Sequence, residues 1–222
     1  MNILVISLEK AKERRESIKK QFESLNIPFF LMDAYDADKL TEAERNKKIS
    51  LVNGYRFGEQ FRPGEIACTM SHIKALMVAR DLNWPYVIVL EDDVILAEDF
   101  VRRIKILRSI LPSDWEHVYL SGIPRLGFNP PPQLQFPNVA LTVFTECTHS
   151  MIIRDTSYDR IINYLKKFET TTDDSYNQLI MNGLTSYTYY PFCTYANDTY
   201  TYIWNHEINR DHKSKLYFKN KL

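Results

Sequence analysis

Tyr86-Val87-Ile88-Val89-Leu90-Glu91-Asp92-Asp93-Val94-Ile95-Leu96 is the stretch whose reading decides the fold. Val87 to Leu90 is a short, β-branched-rich apolar run, which predicts a strand covered on both faces. Three carboxylates follow at its C-terminal end, where they repel one another unless a cation sits among them. Hard divalent cations prefer carboxylate oxygens and pair with phosphates. In open α/β sheets, ligands bind outside the carboxyl ends of the strands. The pattern therefore points to a metal–nucleotide site. An acidic group after a strand also reads as a solvated turn with a carboxylate capping the next helix, so the surrounding sequence has to decide.

Outward from this stretch, strand and helix patterns alternate. Ile3 to Leu8 predicts a first strand, and a helix follows from about Ala11 with Ile18, Phe22 and Leu25 on its buried side. Ile27 to Met32 reads as a second strand and residues 36–62 as irregular helix and loop. Ser71 to Leu82 is predicted helical with Ile73, Leu76 and Met77 facing inward. A helix from about Asp99 to Leu111 buries Phe100, Ile104, Leu107 and Leu111. His117 to Leu120 and Met151 to Ile153 read as short strands. Helix 157–168 carries a stripe of Tyr158, Ile161, Ile162, Leu165 and Phe168. The alternation indicates an α/β sandwich with a central, mostly parallel sheet, with residues 1–222 forming a single domain. Pro124, Pro130, Pro131, Pro132 and Pro137 exclude a regular element between Gly122 and Pro137, and a substrate-facing flap is expected there.

The 28 basic and 28 acidic residues cancel, which gives no case for nucleic-acid binding. Cys68, Cys147 and Cys193 supply neither a C-x-x-C pair nor an even set, so reduced thiols in a cytosol are expected. The apolar run at the N-terminus is too short for a signal peptide. No run approaches the ~20 apolar residues needed to span a bilayer. From Arg210 to Leu222, five Lys or Arg residues and one Asp are interleaved with Leu216, Tyr217, Phe218 and Leu222. This basic tail reads either as a peripheral contact with the cytoplasmic face of an inner membrane or as a solvated terminus.

Three segments together resemble glycosyltransferase family 25, whose bacterial members extend lipooligosaccharide and whose animal relatives galactosylate collagen. They are Val5-Ile6-Ser7-Leu8-Glu9 with Arg14-Arg15, Gly64-Glu65-Ile66-Ala67-Cys68-Thr69-Met70-Ser71-His72, and Pro85-Tyr86 through Glu91-Asp92-Asp93-Val94. Thr148 to Ile153 is a weaker fourth. The resemblance implies a GT-A-type, Rossmann-like sandwich. It also implies an inverting transfer of galactose or glucose from UDP-galactose or UDP-glucose to an oligosaccharide acceptor on a lipid anchor, assisted by Mn²⁺ or Mg²⁺.

The same resemblance distributes roles. Asp93 is the expected direct metal ligand, with Glu91 or Asp92 reaching the ribose or the metal through water. Ser7 and Leu8 are expected to present backbone groups to uracil or ribose. Arg14 or Arg15 offers a charge-assisted hydrogen bond to nucleotide or phosphate, and the other lies on a surface helix face. Ser71 and His72, taken to stand at the mouth of a helix, orient the donor or a carboxylate, or pack structurally. Asp174, or its neighbour Asp173, is the expected general base, and each also reads as a helix cap. Asp198, His206 and His212 are candidates for a late metal ligand. Tyr187, Tyr189, Tyr190, Tyr195, Tyr200, Tyr202 and Trp204 either stack on sugar or pack in strands.

Two other classes compete. A nucleotidyl- or phosphotransferase shares the acidic strand end, but the chain has no G-x-x-x-x-G-K-[ST] segment. A catalytically inactive nucleotide-sugar or oligosaccharide-binding scaffold is disfavoured by retention of all three acidic residues.

Overall fold

The structure, a computed structural model, describes residues 1–50, 57–124, 134–136, 138–142, 144–196, 200–201 and 206–207. The chain opens with β1 (Ile3–Ser7), α1 (Lys12–Ser24), β2 (Phe30–Asp33), the single turn α2 (Glu42–Arg45), α3 (Pro63–Asp81) and β3 (Tyr86–Glu91). Then come β4 (Val94–Leu96), α4 (Phe100–Ile110), β5 (His117–Tyr119), β6 (Ile123–Pro124), β7 (Leu134–Phe136), β8 (Val139–Leu141) and β9 (Thr145–Glu146). β10 (Ser150–Arg154), α5 (Tyr158–Leu165), α6 (Thr172–Met181), β11 (Ser186–Tyr189) and β12 (Thr194–Ala196) complete the elements that position the site.

Eight strands form one sheet in the order β2-β1-β3-β10-β5-β11-β8-β7. Six point the same way, and β10 and β8 run against them. Because successive strand residues face opposite sides, Ile3 and Val5 of β1 pack with Ile88 and Leu90 of β3 against Ile18 and Phe22 of α1 and Phe100, Ile104 and Leu107 of α4. Leu4 and Ile6 join Val87 and Val89 on the other face, against Leu76 of α3, Ile161 and Ile162 of α5 and Leu179 of α6. The result is a three-layer sandwich whose central strands are buried on both sides, as the run at Val87–Leu90 requires.

Three elements differ from their sequence reading. β2 starts at Phe30 rather than Ile27. Asn26 turns the chain with φ 52°, and Pro28 has no N–H to donate, so pairing to β1 begins at Leu4 opposite Phe30. α3 starts at Pro63, eight residues before Ser71. Pro63 takes the first helical position, where a missing N–H costs nothing, and the Arg62 N–H donates to Glu65 Oε2 at 2.9 Å. The periodicity reading missed this half because α3 is buried nearly all round, by Gly64, Glu65, Ile66, Ala67, Thr69, Ser71 and His72 among others, so it carries no one-sided stripe. The Pro-rich segment is also not wholly irregular. β6 pairs with β9, and β7 extends the sheet edge beside β8; residues 125–133 and 137 lie outside the described residues.

Chain direction decides where function can gather. A crossover helix returns antiparallel to the strands it joins, so the N-terminal half of α3 lies over the C-terminal ends of β1 and β3. β10 runs the other way and brings its N-terminal end, His149 and Ser150, to the same edge, where the Glu91 N–H donates to the His149 carbonyl at 2.8 Å.

Ile88 is fully buried on the α1 and α4 face of the sheet. Ile88→Ala is expected to destabilise the domain by about 2–5 kcal/mol, read as a lower urea midpoint with an unchanged slope.

Candidate active site

The C-terminal ends of β1 and β3 form the floor of a cavity of about 330 Å³, lined by residues of β1, the β2–α2 connection, α3 and the Glu91–Asp93 turn. Gly64, Ala67, Cys68, Ser71 and His72 face it from α3. Their spacing of i, i+3, i+4, i+7 and i+8 is one stripe of a helix, and its small residues leave room for a ligand.

The three acidic residues are not equivalent. Asp92 turns back against β1. Its Oδ2 accepts from Ser7 Oγ at 2.6 Å and its Oδ1 from Arg14 Nη1 at 2.8 Å. Burial pushes the Asp92 carboxyl above its ordinary value, against the opposing pull of the Ser7 hydroxyl and the Arg14 guanidinium. Glu91 points to α3, with Oε1 at 3.1 Å from His72 Nε2, and Thr148 Oγ1 donates to the same oxygen at 3.5 Å. Asp93 is half-buried at the cavity wall.

Arg15 lies away from the cavity lining and clamps the end of β1. It donates to the carbonyls of Ser7 and Leu8 at 2.8 and 2.9 Å and pairs with Asp33. The Leu8 carbonyl also accepts the Ala11 N–H, and the Ser7 carbonyl the Ala34 N–H. Two arginines in the first turn of α1 oppose the helix dipole, and Asp92 and Asp33 offset them.

His72 is not at a helix mouth, as the sequence reading placed it. It is the tenth residue of α3, buried, and aimed inward at Glu91. Ser71 Oγ donates to the Ala67 carbonyl at 2.7 Å and accepts the Tyr35 N–H at 2.9 Å. It therefore ties the loop after β2 to α3. Cys68, one turn before His72, was quoted in the sequence motif but given no role. Its Sγ, His72 Nε2 or Nδ1, and a Glu91 carboxylate oxygen lie within 4.8 Å of one another. Spacing i, i+4 between Cys68 and His72 was the available signal.

α6 brings its N-terminal end to the same edge. Asp173 Oδ2 accepts the Cys147 N–H at 2.9 Å, and burial, then the nearby charges of Glu91 and Asp174, push its carboxyl up. Asp174 is the more buried of the pair and accepts from Thr171 Oγ1 at 3.3 Å. Burial pushes the Cys68 thiol up, and the charges of Glu91, Asp173 and Asp93 add to it. One sulfur thus feels three carboxylates from two distant parts of the chain. Tyr187 and Tyr189 are buried in β11 as core residues. Asp198, His212, the side chain of His206 and the basic tail lie outside the described residues.

Because Asp92 and Arg14 are both largely buried, removing the cation strands a carboxylate. Arg14→Ala is expected to cost about 2–4 kcal/mol near neutral pH. The raised folded-state value of Asp92 makes its ionised form the unfavourable one in the native state, so the cost shrinks as pH falls and Asp92 takes up a proton. Urea melts of both proteins between about pH 8 and about pH 5 measure this; a pH-independent difference would remove Asp92 as the cause.

The profile of glycosyltransferase family 25 (LPS biosynthesis protein) matches residues 1–176. The chain is 38% identical over 95 residues to a lipooligosaccharide biosynthesis protein of Haemophilus influenzae, covering 43% of this chain and 34% of that protein. It is 29% identical over 145 residues to procollagen galactosyltransferase 2 of Homo sapiens, covering 62% of this chain and 23% of that one. The matched stretch thus spans about a third or less of these relatives' length. Among solved structures, a glycosyltransferase involved in the glycosylation of the major capsid of PBCV-1 superposes with a TM-score of 0.50 at 8% identity, over 86% of this chain and 81% of that one. That likeness shows a shared fold, the GT-A-type α/β sandwich. With the family profile matched across the strand ends, α3 and the start of α6, the chain belongs to glycosyltransferase family 25.

Proposed function

We propose that the chain is an inverting, metal-dependent hexosyltransferase. It moves galactose, or glucose, from a UDP-sugar to a hydroxyl of a lipid-linked lipooligosaccharide or lipopolysaccharide core oligosaccharide at the cytoplasmic face of the inner membrane. The observation that supports this reading is the cavity at the C-terminal ends of β1 and β3, lined by the carboxylates of Glu91, Asp92 and Asp93 together with Ser7, Arg14 and His72. The acceptor class rests on the lipooligosaccharide and lacto-N-neotetraose biosynthesis proteins to which the chain is similar. No helix among the described residues is long and apolar enough to cross a membrane.

The cavity volume falls in the range of small-molecule sites. Of the residues expected at the donor, Ser7, Leu8, Arg14, Ser71, His72, Glu91 and Asp92 line it, and Arg15 stands behind. Arg14 holds Asp92, and with Ser7 it sets the nucleotide end of the cavity. His72 fixes the Glu91 carboxylate toward the sugar end.

Oxygen donors on Glu91 and Asp93, with Asp173 nearby, suit a hard divalent cation. Bound there, Mn²⁺ or Mg²⁺ would neutralise charge on the departing diphosphate as a Lewis acid. The chain's own contribution to bond making is the base. As the acceptor oxygen bonds to the anomeric carbon and the bond to the diphosphate oxygen breaks, a carboxylate must take the hydroxyl proton. We place this role on Asp173 rather than Asp174, because its Oδ2 is fixed by the Cys147 N–H and burial, with the charge of Glu91 added, pushes its carboxyl up toward the range of a base.

Asp93→Asn is expected to abolish Mn²⁺-dependent turnover in a folded protein; full activity in EDTA would sink the metal assignment. Asp173→Asn is expected to lower turnover by about 10²–10⁴-fold with donor binding intact. Normal turnover in that variant, with loss in Asp174→Asn, would move the base one residue on. The reaction itself is tested by UDP release from UDP-galactose, UDP-glucose and UDP-N-acetylhexosamines, with and without core oligosaccharide. Metal-dependent release that rises with acceptor is expected, and UDP binding without any release would favour a scaffold.

A further inference from the structure

We propose that Cys68, His72 and Glu91 form a second cation site in the same cavity, selective for thiophilic transition ions of the Zn²⁺ class. Three observations carry it. The ligand atoms come from two rigid elements, one turn of α3 and the end of β3, and lie within 4.8 Å of one another. All three side chains line the cavity, so an ion and its waters can enter. Each outer ligand also has a supporting hydroxyl: Thr172 Oγ1 donates to Cys68 Sγ at 3.6 Å, and Thr148 Oγ1 to Glu91 Oε1 at 3.5 Å. Such contacts orient metal ligands and tune their basicity.

The geometry suits an ion between the side chains. Bonds of about 2.0–2.3 Å to N, O and S in a tetrahedral arrangement hold ligand atoms roughly 3.3–3.6 Å apart. His72 and Glu91 already stand at 3.1 Å and the Cys68 sulfur lies within 4.8 Å of both. An ion that closes this gap takes three ligands and a water, and the Cys68 thiol gives up its proton to solvent as the sulfur binds. Mixed sulfur, imidazole and carboxylate donors favour Zn²⁺ or Co²⁺ over Mg²⁺ and Mn²⁺, which prefer oxygen alone. The set therefore differs in chemistry from the Glu91–Asp93 oxygen donors, although Glu91 is common to both. A Zn²⁺-class ion would draw Glu91 away from Asp93, and such ions are expected to inhibit. Binding does not rest on the transferase reading, because it is measured without donor or acceptor.

Co²⁺ added to the reduced, metal-free full chain is expected to give a thiolate-to-cobalt charge-transfer band that saturates at one equivalent. Cys68→Ser should lose the band and His72→Ala weaken it, whereas Cys147→Ser, Cys193→Ser and Asp93→Asn should keep it. Thr172→Val should weaken Co²⁺ binding about tenfold. In the unsubstituted protein, Zn²⁺ is expected to slow alkylation of Cys68 by iodoacetamide, mapped by peptide mass, which guards against a Cys68 variant that fails to fold. Absence of the band, its survival in a folded Cys68→Ser protein, or unchanged alkylation of Cys68 would overturn the site. Loss of Mn²⁺-dependent turnover in Asp93→Asn with the cobalt band intact would separate the two cation sites. A cobalt band from a protein that, free of Co²⁺ and supplied with Mn²⁺, releases no UDP from any of the donors would count against the transferase reading and leave this site standing.

Discussion

The parallel pairing of β1 with β3 is the constraint on which the rest of the site depends. Its register sets Ile6 opposite Glu91, so Ser7, the next residue of β1, meets Asp92, the next residue after β3. The short Ser7–Asp92 bond and the Arg14–Asp92 pair close that junction. A one-residue slip would turn every side chain of β1 to the other face. It would put Leu4 and Ile6 among the α1 contacts and move Ser7 off the cavity floor. Apolar burial on both faces of the two strands holds the register, and the polar contacts at their ends depend on it.

Crowding acidic groups at one edge raises a problem of electrostatic self-repulsion, and the fold meets it separately for each residue. Asp92 has a buried arginine and a hydroxyl. Glu91 has the imidazole of His72 and the Thr148 hydroxyl, and Asp173 has a backbone N–H from the segment before β10. Burial still pushes Asp92 and Asp173 up. Asp92 is held by Ser7 and Arg14, while Glu91 and Asp93 line the cavity beside it. The same edge carries the Cys68 thiol, which burial and the charges of Glu91, Asp173 and Asp93 push up.

Helix direction explains why residues about 100 positions apart act together. α3 and α6 both present their N-terminal ends at the C-terminal edge of the parallel strands. Thr69 of α3 and Thr172 of α6 touch there, with their hydroxyl oxygens 2.8 Å apart. The family block Gly64 to His72 is thus one helical wall of the cavity, and the acidic block after Val87–Leu90 is its floor.

Much of this was legible in the residues themselves. Val87–Leu90 reads as a doubly covered strand because continuous β-branched burial has few other solutions. Alternating periodicities of two and 3.6 placed α1, α4 and α5 within a few residues. The start of α3 was not legible, because a helix buried on every side has no polar face to reveal its period. The roles of Arg14, Arg15 and Asp92 were not legible either. Each is a charged residue suited by type to a nucleotide, and only the register of β1 against β3 turns Arg14 toward Asp92 and Arg15 onto the Ser7 and Leu8 carbonyls. Local sequence determines which segments are strands, which are helices and which residue types stand at their ends. The pairing of charges across the sheet, and the meeting of Cys68, His72, Glu91 and Asp173, are decided by tertiary structure, because hydrogen bonds and Coulomb forces act over a few ångströms in space whatever the separation along the chain.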